Sequence, residues 1–257
     1  LHQLISSQLD MDRLDYLRRD SFFTGVTEGN IGSARIIKML NVVDDNLVVD
    51  SKGIYSIENY LTSRRLMYWQ VYLHKTTVGY EKLLVNLLSR AKYLADQGET
   101  LFATPALHFF LYNHIDKEAF VDNAEPLQHY KMLDDSDIWA SVKAWTTHRD
   151  PILSLLSRNL IDRRIFKVEV RSTAVEEAEV MDIRHQIAQR YGLSFDDTAY
   201  LVNVSTIRKD MYDIHDDHIS ILYKDGTIKD ITEASEILNI SLLSKKICKY
   251  YLCYQRF

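Results

Sequence analysis

The chain has 257 residues, 46% of them hydrophobic, with 31 basic and 36 acidic side chains, a net charge of −5 and a pI near 6.0. The apolar share suffices for a true core in one large domain or two, and the acidic balance excludes a general affinity for nucleic acid, so phosphate recognition would need a local basic pocket. No apolar run approaches the roughly 18 residues of a membrane span, and Cys248 and Cys253 fit neither a disulfide framework nor a zinc spacing, so a cytoplasmic protein without a membrane partner is expected.

With 8 Gly and 3 Pro, little of the chain is available for linkers, and a compact, mostly helical fold is expected. The first helix carries DMDRLDYLRRD, Asp10 to Asp20, and should stop before Gly25. Ile31 to Leu40 continues helically, and NVVDDNLVVD reads as two short strands around an Asp-Asp-Asn turn. Ser56 opens a helical stretch running through Arg64 and Tyr72 towards His74. Further helices are expected from about Tyr80 to Asp96, from Pro105, behind the Asp134–Asp137 cap, and from Pro151 to near Asp162. Beyond that point the pattern changes to strand, helix, strand, strand, helix, strand: IFKVEV, a helix from Thr173 to Tyr191, AYLVNVSTI, HISILY, a helix from Thr232, and KICKYYLCY. That order matches a small α+β module of ferredoxin-like type, and it divides the chain into a helical body, 1–162, and a C-terminal module, 163–257.

Two helical segments carry chemistry. In the first, residues four apart share a face, so Asp12, Tyr16 and Asp20 line one stripe with Arg13 beside it. An ordinary amphipathic helix is the alternative, because Asp15 and Arg19 form an i,i+4 pair and Leu14 and Leu17 make a core edge. An acid at Asp20, near the helix C-terminus, opposes the macrodipole and is more readily understood if it binds something. In the second segment, SRRLMYWQVYLHK from Ser63, an unbroken helix would place Arg64, Tyr68, Tyr72 and Lys75 on one stripe. Cations interleaved with tyrosines can hold a polyphosphate and stack a base. A tyrosine-rich core helix with solvated basic ends has the same pattern.

The segment DRLDYLRRD followed by Gly25 resembles the motif of HD-superfamily phosphohydrolases that carries the last metal-binding Asp, and Arg64 and Tyr72 fall where the dGTP and dNTP triphosphohydrolase branch places an Arg and a Tyr. The resemblance implies a helical HD-domain-like body and a parent enzyme that hydrolyses a deoxynucleoside triphosphate to deoxynucleoside and triphosphate. It makes Asp12 a ligand of a divalent metal ion, with Mg, Mn, Fe, Ni and Zn undistinguished, and Arg13, Tyr16, Asp20, Arg64, Tyr72 and Lys75 the substrate-binding set. It also implies a homo-oligomer with a nucleotide effector.

One carboxylate cannot hold a catalytic ion alone. The family's other ligands, a His and a His-Asp pair, match nothing here: His215-Asp216-Asp217-His218 lies between strand signals and reads as a polar loop. The chain therefore reads as the C-terminal portion of a longer enzyme, with no complete catalytic set of its own. A non-catalytic nucleotide-binding or oligomerisation module, and an HD phosphohydrolase for another phosphate ester, are the alternatives.

Overall fold

The computed structural model describes residues 2–209, 218–235 and 247–257. In chain order these form α1 (His2–Ile5), α2 (Met11–Thr24), α3 (Ser33–Met39), β1 (Leu40–Val43), β2 (Asn46–Asp50) and α4 (Ile54–Met67). A π-helical turn, Tyr68–Tyr72, leads to α5 (Lys75–Asp96), α6 (Pro105–Tyr112), α7 (Lys117–Asp122), α8 (Ala124–Met132), α9 (Asp135–Trp145) and α10 (Pro151–Ile161). Then come β3 (Lys167–Arg171), α11 (Glu177–Tyr191), β4 (Val202–Lys209), β5 (Ser220–Leu222), β6 (Ile228–Asp230), α12 (Ile231–Ala234) and β7 (Ile247–Tyr254). The fold is mostly α, as expected. No helix of the described residues is long and apolar enough to cross a membrane.

The chain falls into two compact units, one of residues 1–74 and 206–249 and the other of 75–205 and 250–257. Residue 162, where the composition changes, lies inside the second unit. The reason is packing: α5, from the helical body, rests on both α10 and β3. A Cβ on Gly79 would come within 3.0 Å of the Val168 side chain, so the missing side chain lets helix and strand approach closely.

In the first unit, Asp44 and Asp45 take positive φ, 48° and 59°, and close the β1–β2 hairpin. Two consecutive left-handed residues match the right-handed twist of the flanking strands. β2 then pairs in parallel with β5, Val49 opposite Ile221, and β6 completes a sheet ordered β1-β2-β5-β6. Leu14 and Leu17 of α2, Ile57, Tyr60 and Leu61 of α4, and Ile221 and Ile231 form one core beneath this sheet.

The second unit is built on α5, whose Leu83, Leu87 and Ala91 are fully buried at helical spacing. Asp134 and Asp137 cap α9 reciprocally, Asp150 accepts from the Leu153 N–H to cap α10, and α11 ends on left-handed Gly192. β7 runs between β3 and β4. The expected ferredoxin-like module does not form among the described residues, because β5 and β6 join the β1–β2 hairpin while β3, β4 and β7 make a separate sheet. Chain order alone is silent about that choice: Val49 is an edge residue until Ile221 pairs beside it and buries it.

Candidate functional site

Helix α2 begins where Asp10 accepts a hydrogen bond from the Arg13 N–H at 2.7 Å, and it ends at Gly25, whose φ of 72° forms the left-handed cap. Leu14 and Leu17 turn to the core, which aims Arg13, Tyr16 and Asp20 sideways, towards the end of α4. There the chain departs from the expected unbroken helix. The Leu73 N–H donates to the Tyr68 carbonyl at 2.7 Å, an i→i+5 bond, so Tyr68–Tyr72 is a π-helical turn and a new helix starts at Lys75. Lys75 opens α5, in the second unit, and is exposed. Inserted π turns are frequent at functional sites because they re-aim side chains.

The two motifs meet through aromatic rings. The Tyr72 hydroxyl donates to Asp20 Oδ2 at 2.6 Å, and Tyr16 and Tyr72 meet edge to face at 5.8 Å between ring centres. Tyr68 packs on Tyr72 at 5.4 Å, and the Arg64 guanidinium sits 5.9 Å from the Tyr68 ring centre. Asp20, anomalous at a helix C-terminus, thus has an internal explanation: it accepts from Tyr72. Burial, then the bond to Asp20, raises the Tyr72 hydroxyl well above the usual phenol range; burial followed by Tyr68 does the same to Tyr16. Both phenols stay neutral, and Tyr72 donates to Asp20.

The cations differ in how they are balanced. Arg13 Nε pairs with Asp10 at 3.0 Å. Arg64 donates to the neutral Gln8 amide oxygen at 3.1 Å, has no carboxylate partner among the described residues, and keeps a buried Nε with no hydrogen bond. The Gln8 carbonyl in turn accepts from Tyr60 at 2.7 Å, and burial pushes that phenol up to about 12. Gln8, Asp10 and Tyr60 are site residues that the motif reading missed. Tyr60 was detectable, since Tyr60, Arg64 and Tyr68 are spaced by four.

Asp12 is exposed on the first turn of α2. Among the described residues no group of three or more His, Cys, Asp or Glu side chains converges as a metal site, so these residues alone do not fit a divalent ion. His215, Asp216 and Asp217 lie outside the described residues; exposed His218 contacts Asp230 at 3.0 Å.

Residues 31–100, which include Arg64 and Tyr72, match the family described as the HD associated region. A crystallised phosphohydrolase from Bacteroides thetaiotaomicron is 62% identical, with a TM-score of 0.94 over 99% of this chain and 63% of that one. The uncharacterised YwfO protein of Bacillus subtilis is 33% identical over 98% of this chain and 57% of its own length. The Dictyostelium discoideum deoxynucleoside triphosphate triphosphohydrolase SAMHD1 homolog is 28% identical over 33% of this chain and 16% of that protein. The chain spans little more than half the length of its Bacillus relative. These similarities relate it to HD-superfamily phosphohydrolases, with an HD-associated region at residues 31–100.

Proposed function

We propose that this chain forms the substrate-facing part of a metal-dependent HD-type enzyme that hydrolyses a deoxynucleoside triphosphate, dGTP-like, to deoxynucleoside and triphosphate. The observation that carries the reading is Arg64, a half-buried guanidinium set against Tyr68 and left without a carboxylate partner among the described residues. A desolvated cation in that state attracts an anion, and the planar fork of Arg suits a phosphate.

In this reading Arg64 and Arg13 bind phosphate oxygens, Arg13 exchanging Asp10 for substrate. Tyr16 and Tyr72 orient the sugar, and Asp20, which gives Oδ2 to Tyr72, has its second oxygen for a sugar hydroxyl. Asp12 would contribute one carboxylate to a divalent ion, which would need its other ligands from groups beyond the described residues. The two motifs folding into one wall supports a single ligand spanning both.

The test is an assay of the complete protein containing this chain, with dGTP and manganese or magnesium, separating triphosphate from pyrophosphate and phosphate by anion exchange. Triphosphate release is expected. Asp12→Ala should abolish it while circular dichroism stays unchanged, since an exposed carboxylate contributes nothing to the core. Absence of turnover with every metal and nucleotide activator would sink the proposal, and nucleotide binding without turnover would point to the non-catalytic module.

A further inference from the structure

We infer a second anion-binding site in the other unit, in a cavity of about 520 Å³ at the C-terminal end of α10, suited to a small ligand carrying two or more linked phosphates. Its volume falls within the range of about 300–1,000 Å³ common to small-molecule sites. Arg163, Arg164 and Arg256 line it, and no carboxylate does. In a chain of net charge −5 such a concentration of weakly compensated positive charge is unexpected.

The neutralisation is weak wherever it is sought. Arg163 and Arg256 have no ion-pair partner among the described residues, and the carboxylate facing Arg164 is Asp162, 3.9 Å away with both side chains exposed. The macrodipole of α10 accounts for cations just past its C-cap, such as Arg163 and Arg164, but Arg256 follows β7 and owes nothing to that helix. Two segments almost a hundred residues apart bring like charges to one cavity. Guanidiniums gathered without acids are mutually repulsive until an anion joins them.

The cavity is also built on a fixed polar floor. Asn159, 4% exposed, donates to Gln255 Oε1 at 2.6 Å; Gln255, 7% exposed, donates through Nε2 to the Tyr191 hydroxyl at 2.9 Å; and that hydroxyl donates to the Arg256 carbonyl at 2.6 Å. These hydrogen bonds tie the Arg256 backbone to α10 and α11, which holds the segment that carries this exposed cation beside the cavity. Arg163 adopts a left-handed backbone, φ 57°, at a position where helices usually place Gly. A bulky cation is kept there despite that strain.

The probe is inorganic tripolyphosphate, titrated calorimetrically into the complete protein containing this chain, with Arg64→Gln alongside because the proposed first site also favours phosphate. Two binding events are expected for the parent chain. Arg64→Gln should lose one and keep the other, and Arg163→Gln/Arg256→Gln should weaken the other at least tenfold. The double Lys variant should retain part of the affinity, having the charge without the fork. Hydrogen exchange should show protection by tripolyphosphate at 155–165 and 251–257 in Arg64→Gln. If the double Gln variant, folded by circular dichroism, binds as the parent does, or if no protection appears in those segments, the inference is overturned. Failure at this site and failure at Arg64 are read from different variants and different peptides.

Discussion

Each unit contains a partly or wholly buried arginine set among tyrosines, and the two are balanced in opposite ways. In the second unit Arg90 is 8% exposed, donates two hydrogen bonds to Asp150 at 3.1 and 2.6 Å and a third to Asp197 at 2.8 Å, and lies against the rings of Tyr93 and Tyr200. In the first unit Arg64 lies against Tyr68 and, among the described residues, has only a neutral amide as its hydrogen-bond acceptor. A buried cation with two carboxylates is finished; it holds helices α5 and α10 together. A cation with none lacks its anion, and a ligand can supply it. On the proposed reading, the difference between the structural Arg90 and the substrate-binding Arg64 is in their acids, not in their aromatic neighbours.

The largest expected effect is on the finished site. Asp150→Ala strands the Arg90 charge and removes the α10 cap, so unfolding in urea should show a loss of about 3–5 kcal/mol. Arg64→Ala should do the reverse in the complete enzyme, lowering kcat/KM by roughly 10²–10³ as loss of a preorganised donor does, with little change in the urea midpoint. An equal loss of stability in both variants would erase the distinction. Tyr72→Phe comes next: it leaves Asp20 without its donor and should cost about 1–2 kcal/mol of stability together with a rise in KM.

pH sharpens the same contrast. Asp150 is buried, which alone would raise its pKa, but the bonds from Arg90 and the Leu153 N–H outweigh burial and hold its carboxyl below the usual range. The folded pKa is depressed, so the stabilisation is present above the unfolded value of about 3.9 and is lost as pH falls through the folded one. Tyr16 and Tyr72 are raised, so their contribution is complete below the unfolded value of about 10 and is lost as pH rises beyond it. Denaturation curves should therefore show an acid arm that Asp150→Asn flattens and an alkaline arm that Tyr72→Phe flattens; unchanged arms would contradict the assignment. The smallest effect is expected at Asp15 and Arg19, a pair at 2.7 Å with both side chains more than half exposed, where Asp15→Ala should alter stability by about 0.5 kcal/mol or less.

Local signals were read correctly where the physics is local. The caps of α9 and α10, the hairpin at Asp44 and Asp45 and the stop at Gly25 depend on a few neighbouring φ/ψ values and side-chain oxygens, and each formed where the residues indicated. The pairing of Tyr72 with Asp20 was legible in part, as two stripes suited to one ligand. That they would bond directly was not, because the bond joins residues 52 apart. The π turn was hidden for a related reason: α-helical and π-helical turns admit the same residues, and the extra residue per turn is absorbed only when Met67 and Tyr68 pack into the core beneath.

By itself, the sequence determined helix caps, turn chemistry and which residue types share a helical face, because propensity, capping and period act over a few residues. Tertiary structure decided which strands share a sheet, which arginine receives acids and which does not, and where the chain divides. Those outcomes depend on partners far apart in the chain. β5 buries Val49 from 172 residues away, Val49 facing Ile221, and Asp150 and Asp197 reach Arg90 across 60 and 107 residues. No local period encodes such meetings; they are selected by what the whole core can bury and which charges it can satisfy.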